Sequence, residues 1–363
     1  MEANHRSGNG IDKNVGMVKD AADMIPSQEP ACSICIANYN GARVIGPCLE
    51  SIYNQDFHLP LEIIIHDDAS TDTSVDFIRD HFPDVTLIVG EQNIGYCVSN
   101  NRMISLARGR YILLLNNDAV LHRDAIRTLY NHAERQPGPT VLGLPQYDMQ
   151  TGELIDRGSL FDLFLNPVPN LDRDRTDVGM VMGACLWMPR GLWDELGGFP
   201  EWFGSLAEDL YLCCIARLSG YPVRVLPESG FDHWVGMSFR GGKVVQNALR
   251  TSYKRRALSE RNKTFTMLIC YPLPAAFLLI PFHFLALAGE GVVLSLLKRS
   301  ARIFYGIYWL SFKSVYGEKG RLWRLRRQIQ STRRIPCSRF FSVHKLTSHK
   351  LNMLFKFGPP GIE

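Results

Sequence analysis

Leu113-Leu114-Leu115-Asn116-Asn117-Asp118 is a run of three leucines that ends in two asparagines and a carboxylate with no basic neighbour. The leucines read as a buried strand, and in an open α/β sheet ligands bind outside the carboxyl ends of the strands. An acid at that place faces a crevice. Flanked by Asn116 and Asn117, Asp118 suits a hard divalent cation carried on a phosphate. It equally suits capping of the helix expected from about Arg123. The six residues alone do not choose.

Outward from this strand the chain alternates. Residues 32–37, 61–66, 85–89 and 111–115 are short apolar strands. Residues 44–53, 71–82, 96–107 and 123–135 have helical spacing. Strands alternating with helices of this length predict βαβ units and a mainly parallel sheet, an α/β fold. Beyond Pro139 the pattern loosens. Residues 141–144 read as a fifth strand, 156–177 as loop, 178–188 as a strand, 206–218 as a helix and 223–226 as a closing strand. Gly183 and Ala184 leave room for something to approach the backbone. Residues 1–30 are polar and aperiodic, which predicts a mobile tail.

The length of 363 residues allows one large α/β domain plus an appendage, and 46% apolar content is ample for a core. The net charge of +4 is unevenly shared. Residues 298–363 hold fifteen Lys/Arg against Glu318 and Glu363, a net +13, which leaves −9 for the rest. A one-signed block at a terminus meets an oppositely charged surface. Residues 321–334, with Leu322, Trp323, Leu325 and Ile329 interleaved, read as a basic amphipathic helix on an anionic membrane surface. No nucleic-acid-binding motif accompanies the charge, so no nucleic-acid partner is expected. The nine cysteines are irregularly placed, and Cys32 and Cys35 would point to opposite faces of one strand. Reduced thiols in a cytosolic compartment are expected, and the N-terminus shows no secretory leader.

Residues 264–297 are the most apolar stretch, long enough to cross a bilayer. Pro272, Pro274, Pro281, His283, Gly289, Glu290 and Gly291 interrupt it. Two broken amphipathic helices in the membrane interface are the expectation. A spanning helix or hairpin, and packing inside a soluble fold, are the alternatives.

Four features sit at inferred strand ends: Asn38-Tyr39-Asn40-Gly41, the acids of His66-Asp67-Asp68-Ala69-Ser70-Thr71-Asp72, Asn93 to Asn101, and Asp118. Two adjacent carboxylates repel, so Asp67 and Asp68 suit hydrogen bonds from a base or ribose, with capping of the next helix by Ser70 or Asp72 as the alternative reading of the segment. A dehydrogenase would carry G-x-G-x-x-G where Asn38-Tyr39-Asn40-Gly41 stands, and no P-loop motif occurs.

These segments, taken in order with Met182-Gly183-Ala184, Leu196-Gly197-Gly198-Phe199, Ala207-Glu208-Asp209-Leu210, Gly220-Tyr221-Pro222-Val223 and then His233, resemble family 2 of the inverting glycosyltransferases. The resemblance covers about residues 31–240, and the Asn-Asn-Asp strand end is similar to the rhamnosyltransferase-like branch of surface-polysaccharide assembly. It implies a GT-A fold, a nucleotide-diphosphate sugar donor, Mg2+ or Mn2+, a lipid-linked or polysaccharide acceptor, and inversion at the anomeric carbon. By the same resemblance Ala37, Tyr39, Asp67, Asp68, Gly95, Asn101 and Asn117 would hold the donor. Asp118 and His233 would hold the metal. Asp209 would be the general base, with Glu208 second, and Gly183, Ala184 and Trp202 would meet the acceptor. Asn116 stands where the family has the first acid of its metal motif, and Pro200 and Tyr211 also depart from the pattern. The division expected is a tail (1–30), the transferase domain (31–240), a helical membrane-associated segment (241–297) and a basic tail (298–363), on the cytoplasmic membrane face. The rival is a transferase-like subunit of the cell envelope that binds without turnover.

Overall fold

The strand that ends at Asp118 lies near the middle of a seven-stranded sheet, next to the first strand of the chain. The computed structural model describes residues 16–17, 29–234, 241–245 and 248–362. The expected N-terminal tail lies outside them, apart from residues 29 and 30 and the pair Gly16–Met17, which adds a short antiparallel edge to the sheet.

The first half alternates as expected: β1 (Cys32–Asn38), α1 (Ile45–Tyr53), β2 (Leu61–Asp67), α2 (Ser74–His81), β3 (Thr86–Val89), α3 (Tyr96–Leu106) and β4 (Tyr111–Leu115). Then come β5 (Ala119–Leu121), α4 (Ala125–Arg135), β6 (Val141–Gly143), β7 (Gln146–Asp148) and β8 (Cys185–Pro189). The domain closes with α5 (Glu208–Leu218), β9 (Val223–Val225) and β10 (Phe231–His233). The main sheet runs β3-β2-β1-β4-β8-β6-β9. All neighbours pair parallel except β8, which is antiparallel to both β4 and β6. All five residues of β4 are buried, as a strand covered on both faces requires.

A second, smaller sheet orders β5-β10-β7, with Leu154–Asp156 at its edge. It carries Asp118 just before β5 and His233 at the end of β10. The strand expected over 178–188 is shorter: only Cys185–Pro189 is regular. Residues 178–184 instead follow an irregular path, tied by the bridge Ser159–Met180 and by contacts of Gly183 described below.

The helical region differs from its expectation. The apolar stretch is not two broken helices of similar kind. Its first part is the buried end of α6 (Tyr253–Cys270), and the break falls at Tyr271 and Pro272. Its second part is α7 (Leu273–Leu297), one helix running through Pro281. Pro281 lies on the exposed face of α7, so its missing N–H opens away from the protein body. Inward, Ala276, His283, Leu287, Gly291 and Leu294 form one buried stripe. Glu290 is not a stray charge in this helix: Arg256 and Lys350 both pair with it. Outward, α7 shows Phe277 (79% exposed), Leu285 and Leu296. By length and composition alone, α7 is apolar enough to cross a membrane.

Residues 298–363 return to the body rather than trailing from it. After α8 (Leu310–Gly317) and α9 (Lys319–Ser331), Phe340 and Val343 join the main core, and Arg334 N–H donates to the Leu218 carbonyl at 2.8 Å. The helix α10 (His349–Phe357) brings Lys350 to Glu260 and Glu290. The nine cysteines form no disulfide, and eight are buried. Burial raises the Cys35 and Cys48 thiols, which makes them inert.

Candidate active site

β1 and β2 end side by side, with Asn38 in register with Asp67. Asn38 donates through Nδ2 to Asp67 Oδ2 (2.7 Å) and accepts at Oδ1 from Asn117 Nδ2 (2.8 Å). Gly41 makes room for that second bond, because a Cβ there would lie 2.0 Å from Asn38 Oδ1 and 2.5 Å from Asn117 Nδ2. Asp67 is fully buried and also accepts from the Ser70 N–H (2.8 Å) and hydroxyl (2.6 Å). It is therefore a buried post for the turn after β2.

Asp68 accepts from the backbone N–H of Ile94 (2.7 Å) and Gly95 (2.9 Å), one to each carboxylate oxygen. It fixes the loop that starts α3. Gly95 has φ +89°, and a Cβ would sit 3.1 Å from the Gly204 carbonyl oxygen, so glycine is needed twice over. Tyr39, 52% exposed, and half-buried Ala37 border the same end of the sheet. Asn101 turns elsewhere: its amide donates to the Phe199 carbonyl (2.9 Å) and accepts from the Phe199 N–H (3.1 Å). It holds the turn around Gly198 rather than facing a donor.

A chain of hydrogen bonds crosses from this side to the acidic helix α5. The Tyr96 hydroxyl lies 3.2 Å from both Asn116 Oδ1 and the Gly183 carbonyl oxygen. Asn116 N–H donates to the Ala184 carbonyl (3.1 Å), and Gly183 N–H donates to Asp209 Oδ2 (3.0 Å). Asp209 thus lies directly against the 183–184 segment. Burial raises its carboxyl, while the N–H donors of Gly183 and Leu210 pull it back down. Next to it, Glu208 is buried and its Oε2 has no hydrogen-bond partner. Burial, then the charge of Asp209, push Glu208 up to about 8. Burial and mutual repulsion therefore disfavour charging both members of the pair at once. The Arg255 guanidinium lowers both.

α5 begins abruptly. Leu206 (φ 71°) and Ala207 (φ 63°) are both left-handed without being glycine. Such conformations cost free energy and persist only where neighbours over-determine them. Asn262 on α6 supplies that restraint: its Nδ2 lies 3.1, 2.9 and 2.7 Å from the carbonyl oxygens of Phe203, Ser205 and Leu206. Arg261 adds a bond to the Phe203 carbonyl (2.8 Å) and one to Asn262 Oδ1 (2.9 Å). Nothing local in the sequence marks these two residues: both sit mid-helix among the other charged and polar residues of α6.

Asp118 is buried, and its Oδ1 lies 2.9 Å from His233 Nε2. The other ring nitrogen, Nδ1, lies 3.0 Å from Gln146 Nε2. An amide nitrogen can only donate, so this arrangement keeps the ring proton on Nε2, donated to Asp118. Gln146 Oε1 is buried and has no partner. In this orientation Nε2 carries the proton; turning the Gln146 amide over would let Oε1 accept from Nδ1–H and free the Nε2 lone pair, the form a metal ligand needs. Among the described residues no group of three or more His, Cys, Asp or Glu converges on one point. A carboxylate and an imidazole in contact, backed by a second polar group, still fit a divalent cation that takes its remaining ligands from a diphosphate and water. No sequence signal marked Gln146.

Trp202 packs edge-on against Phe203 and at a tilt against Phe265, with the Arg321 guanidinium over its ring at 5.2 Å.

With this geometry in hand, residues 33–197 match the sequence profile of the family described as Glycosyl transferase family 2. The chain is 25% identical over 187 residues to a chondroitin synthase of Escherichia coli, covering 50% of this chain and 26% of that protein. It is 33% identical over 116 residues to a poly(ribitol-phosphate) beta-glucosyltransferase of Bacillus spizizenii, covering 31% and 18%. The chain therefore spans about a quarter or less of the length of these two relatives. In fold it is similar to GalNAc-T7, solved with UDP, GalNAc and Mn2+ (TM-score 0.60, 14% identity, 92% of this chain and 59% of that one). It is also similar to the mannosyltransferase PcManGT of Pyrobaculum calidifontis, solved with GDP-Man and Mn2+ (TM-score 0.51, 18% identity, 88% and 87%). The sheet and its flanking helices are those of the GT-A fold.

Proposed function

Because residues 33–197 are a glycosyl transferase family 2 domain on a GT-A frame, we propose that this protein is an inverting glycosyltransferase. It takes a hexosyl group from a nucleotide-diphosphate sugar and passes it to a lipid-linked or polysaccharide acceptor of the cell envelope. The observation that carries the reading is the hydrogen-bonded path from the Asp68-held loop, through Tyr96, Asn116 and Gly183, to Asp209. It joins a nucleotide-side loop to a buried carboxylate supplied with N–H donors.

In this reading Tyr39 and Ala37 border the base, and Asp68 shapes the Ile94-Gly95 loop against the nucleotide. Asn117, oriented by Asn38, faces the ribose. Asp118 and His233 would hold the divalent metal, which when bound would supply Lewis-acid stabilisation of charge on the diphosphate. Having an imidazole in the set favours Mn2+ over Mg2+. Asp209 takes the proton from the acceptor hydroxyl as its oxygen bonds to the anomeric carbon from the face opposite the diphosphate. The bond to the diphosphate oxygen breaks, and configuration inverts. Glu208, holding its proton, keeps a second negative charge away from Asp209. Gly183 and Ala184 border the acceptor site, and Trp202 gives its sugar an apolar face. The Asn-Asn-Asp strand end supports the rhamnosyltransferase-like branch.

The body, the α6–α7 segment and the basic C-terminal part act as a donor-binding domain with a membrane-facing side. The exposed apolar face of α7, near Lys298, Arg299 and Arg302, suits a peripheral or monotopic seat on the anionic cytoplasmic leaflet. The test is nucleotide release by purified protein with Mn2+ across a panel of UDP-, GDP- and dTDP-sugars. Release from one donor, lost in Asp118→Ala, is expected. Silence across the panel with no nucleotide bound would overturn the reading.

A further inference from the structure

The proposed reaction gives Asn116 a place in the hydrogen-bonded path but no contact with a substrate. From Tyr111 to Ala119 it is the one residue that is not buried. Its backbone is fully used: the N–H donates to the Ala184 carbonyl (3.1 Å), and the carbonyl accepts from the Ala119 N–H (3.1 Å) and the Cys48 thiol (3.4 Å). Its side chain is only half used. Oδ1 meets the Tyr96 hydroxyl at 3.2 Å, while Nδ2 bonds to nothing among the described residues and stays open to the crevice.

The three side chains that follow β4 fan apart. Asn117 turns to Asn38 on the nucleotide side, and Asp118 turns to His233. Asn116 turns a third way, to Tyr96, whose hydroxyl also lies 3.2 Å from the Gly183 carbonyl oxygen. Gly183 in turn gives its N–H to Asp209 (3.0 Å). A Cβ on Gly183 would lie 3.5 Å from both Asp209 Oδ2 and the Tyr96 hydroxyl oxygen, so this glycine keeps open a spot that both groups border. In a displacement with inversion, the attacking and departing oxygens lie on opposite faces of the anomeric carbon. The hexosyl ring therefore lies between Asp209 and Asp118, beside the Asn116 amide.

The chemistry of that amide points to a hydroxyl. Tyr96 has one hydroxyl proton for two acceptors. With the proton on Asn116 Oδ1, the amide shows its N–H donors to the ring. With the proton on Gly183, an amide turned over would donate to Tyr96 and show Oδ1 instead. A sugar hydroxyl both donates and accepts, so it satisfies either arrangement. A carboxylate at this position could only accept.

We propose that the Asn116 amide, held by the Tyr96 hydroxyl, hydrogen-bonds one ring hydroxyl of the hexosyl group and so selects the donor sugar. Tyr96 acts through Asn116 and is a positioning residue. The proposal rests on the transferase reading and deepens it, by naming the contact that tells one donor sugar from its epimers.

The full chain with Mn2+ is titrated calorimetrically with the panel of UDP-, GDP- and dTDP-sugars, each beside its bare nucleotide. The donor bound best is then replaced by its monodeoxy analogues, and discrimination is read as affinity and as kcat/KM for nucleotide release. Asn116→Ala is expected to weaken the parent donor roughly tenfold, the worth of one hydrogen bond, and to leave the bare nucleotide within about twofold. In wild type one monodeoxy analogue should lose the same factor. In Asn116→Ala that analogue and the parent should behave alike, as a cycle across a real contact requires. Tyr96→Phe, which keeps the ring, should blunt the same discrimination without touching the bare nucleotide. Equal losses for the donor and its bare nucleotide in Asn116→Ala would make the residue a prop of the turn and overturn the proposal. So would a penalty that every monodeoxy analogue keeps. Failure of wild type to bind any of these nucleotides would break the transferase reading itself, whereas nucleotides bound with Asn116 indifferent would break only this contact.

Discussion

The chain holds two pairs of adjacent carboxylates, Asp67-Asp68 and Glu208-Asp209, and they are built in opposite ways. Every oxygen of the first pair accepts a hydrogen bond, from Ser70, Asn38, Ile94 or Gly95. Those donors come from short, rigid turns at strand ends, so the pair is fixed and its charge is spent on holding backbone. In the second pair burial dominates, Glu208 is left short of donors and rises to about 8, and only Asp209 is supplied with N–H groups. Like charges side by side are tolerated where each is solvated by the protein; where one is not, a proton stays. The first pair is architecture for a loop, and the second is chemistry held in reserve.

The difference predicts a clean split between the two pairs. Asp209→Asn should cut kcat by about 10^3, the scale of a general base, and leave donor affinity within about twofold. Asp68→Asn puts an amide N–H against the N–H of Ile94 or Gly95. It should raise the donor KM and lower the melting temperature while retaining measurable kcat. Steady-state kinetics with donor binding measured separately would read both. Full activity in Asp209→Asn removes the base assignment.

The second pair needs an external restraint that the first does not. Asn262→Ala frees the carbonyls of Phe203, Ser205 and Leu206, with Leu206 and Ala207 already in left-handed strain. Leaving buried carbonyls without donors costs about 2 kcal/mol. As a positioning effect, kcat should fall roughly tenfold to a hundredfold with donor KM little changed, and the ascending limb of the pH–rate profile should move. A uniform loss through unfolding alone, with the profile unmoved in the surviving fraction, would mean that Asn262 is only structural.

A smaller effect is expected at the metal pair. Gln146→Leu removes the partner of His233 Nδ1, and outer-sphere partners of this kind are worth about tenfold to a hundredfold in metal affinity. Titrating activity against Mn2+ should show the half-saturating concentration rise by that amount with kcat at saturation retained. An unchanged half-saturation point would remove His233 from the metal site.

The asymmetry between the pairs also explains what could be read in advance. The parallel half of the fold was legible because β1, β2 and β4 each hold a run of apolar residues and end in polar clusters. Asp68 and Asp118 stand at such exits, whereas Asp209, in the first turn of α5, was singled out by resemblance alone. The roles of Asp67 and Asn101 were not legible, since a residue's neighbour in sequence says nothing about which of two acids turns inward, or that an amide will satisfy a distant turn at Phe199. Gln146 and Asn262 act across 87 and 56–59 residues; such pairings arise from tertiary packing and leave no local pattern. The same is true of α7. Its proline and glycines suggested a broken helix, yet the buried stripe from Ala276 to Leu294 and the two cations on Glu290 hold it whole.

The subtlest consequence concerns stability rather than rate. Glu208 moves from the usual 4.5 to about 8 on folding, because burial and Asp209 disfavour its charge. Between those values the folded chain holds a proton that the unfolded chain has released. Stability must then fall as pH rises through that window, with the full contribution present below 4.5 and lost through about 8. Asp209, also raised by burial, acts with the same sign. Glu208→Gln keeps the shape and removes the titration, so its urea midpoint should stay flatter from pH 5 to pH 8. At pH 8 it should exceed wild type by at least about 1 kcal/mol, less than one pKa unit's worth. Parallel midpoints for the two proteins across that range would mean that Glu208 finds donors in solution, and the contrast between the two acidic pairs would fail at its sharpest point.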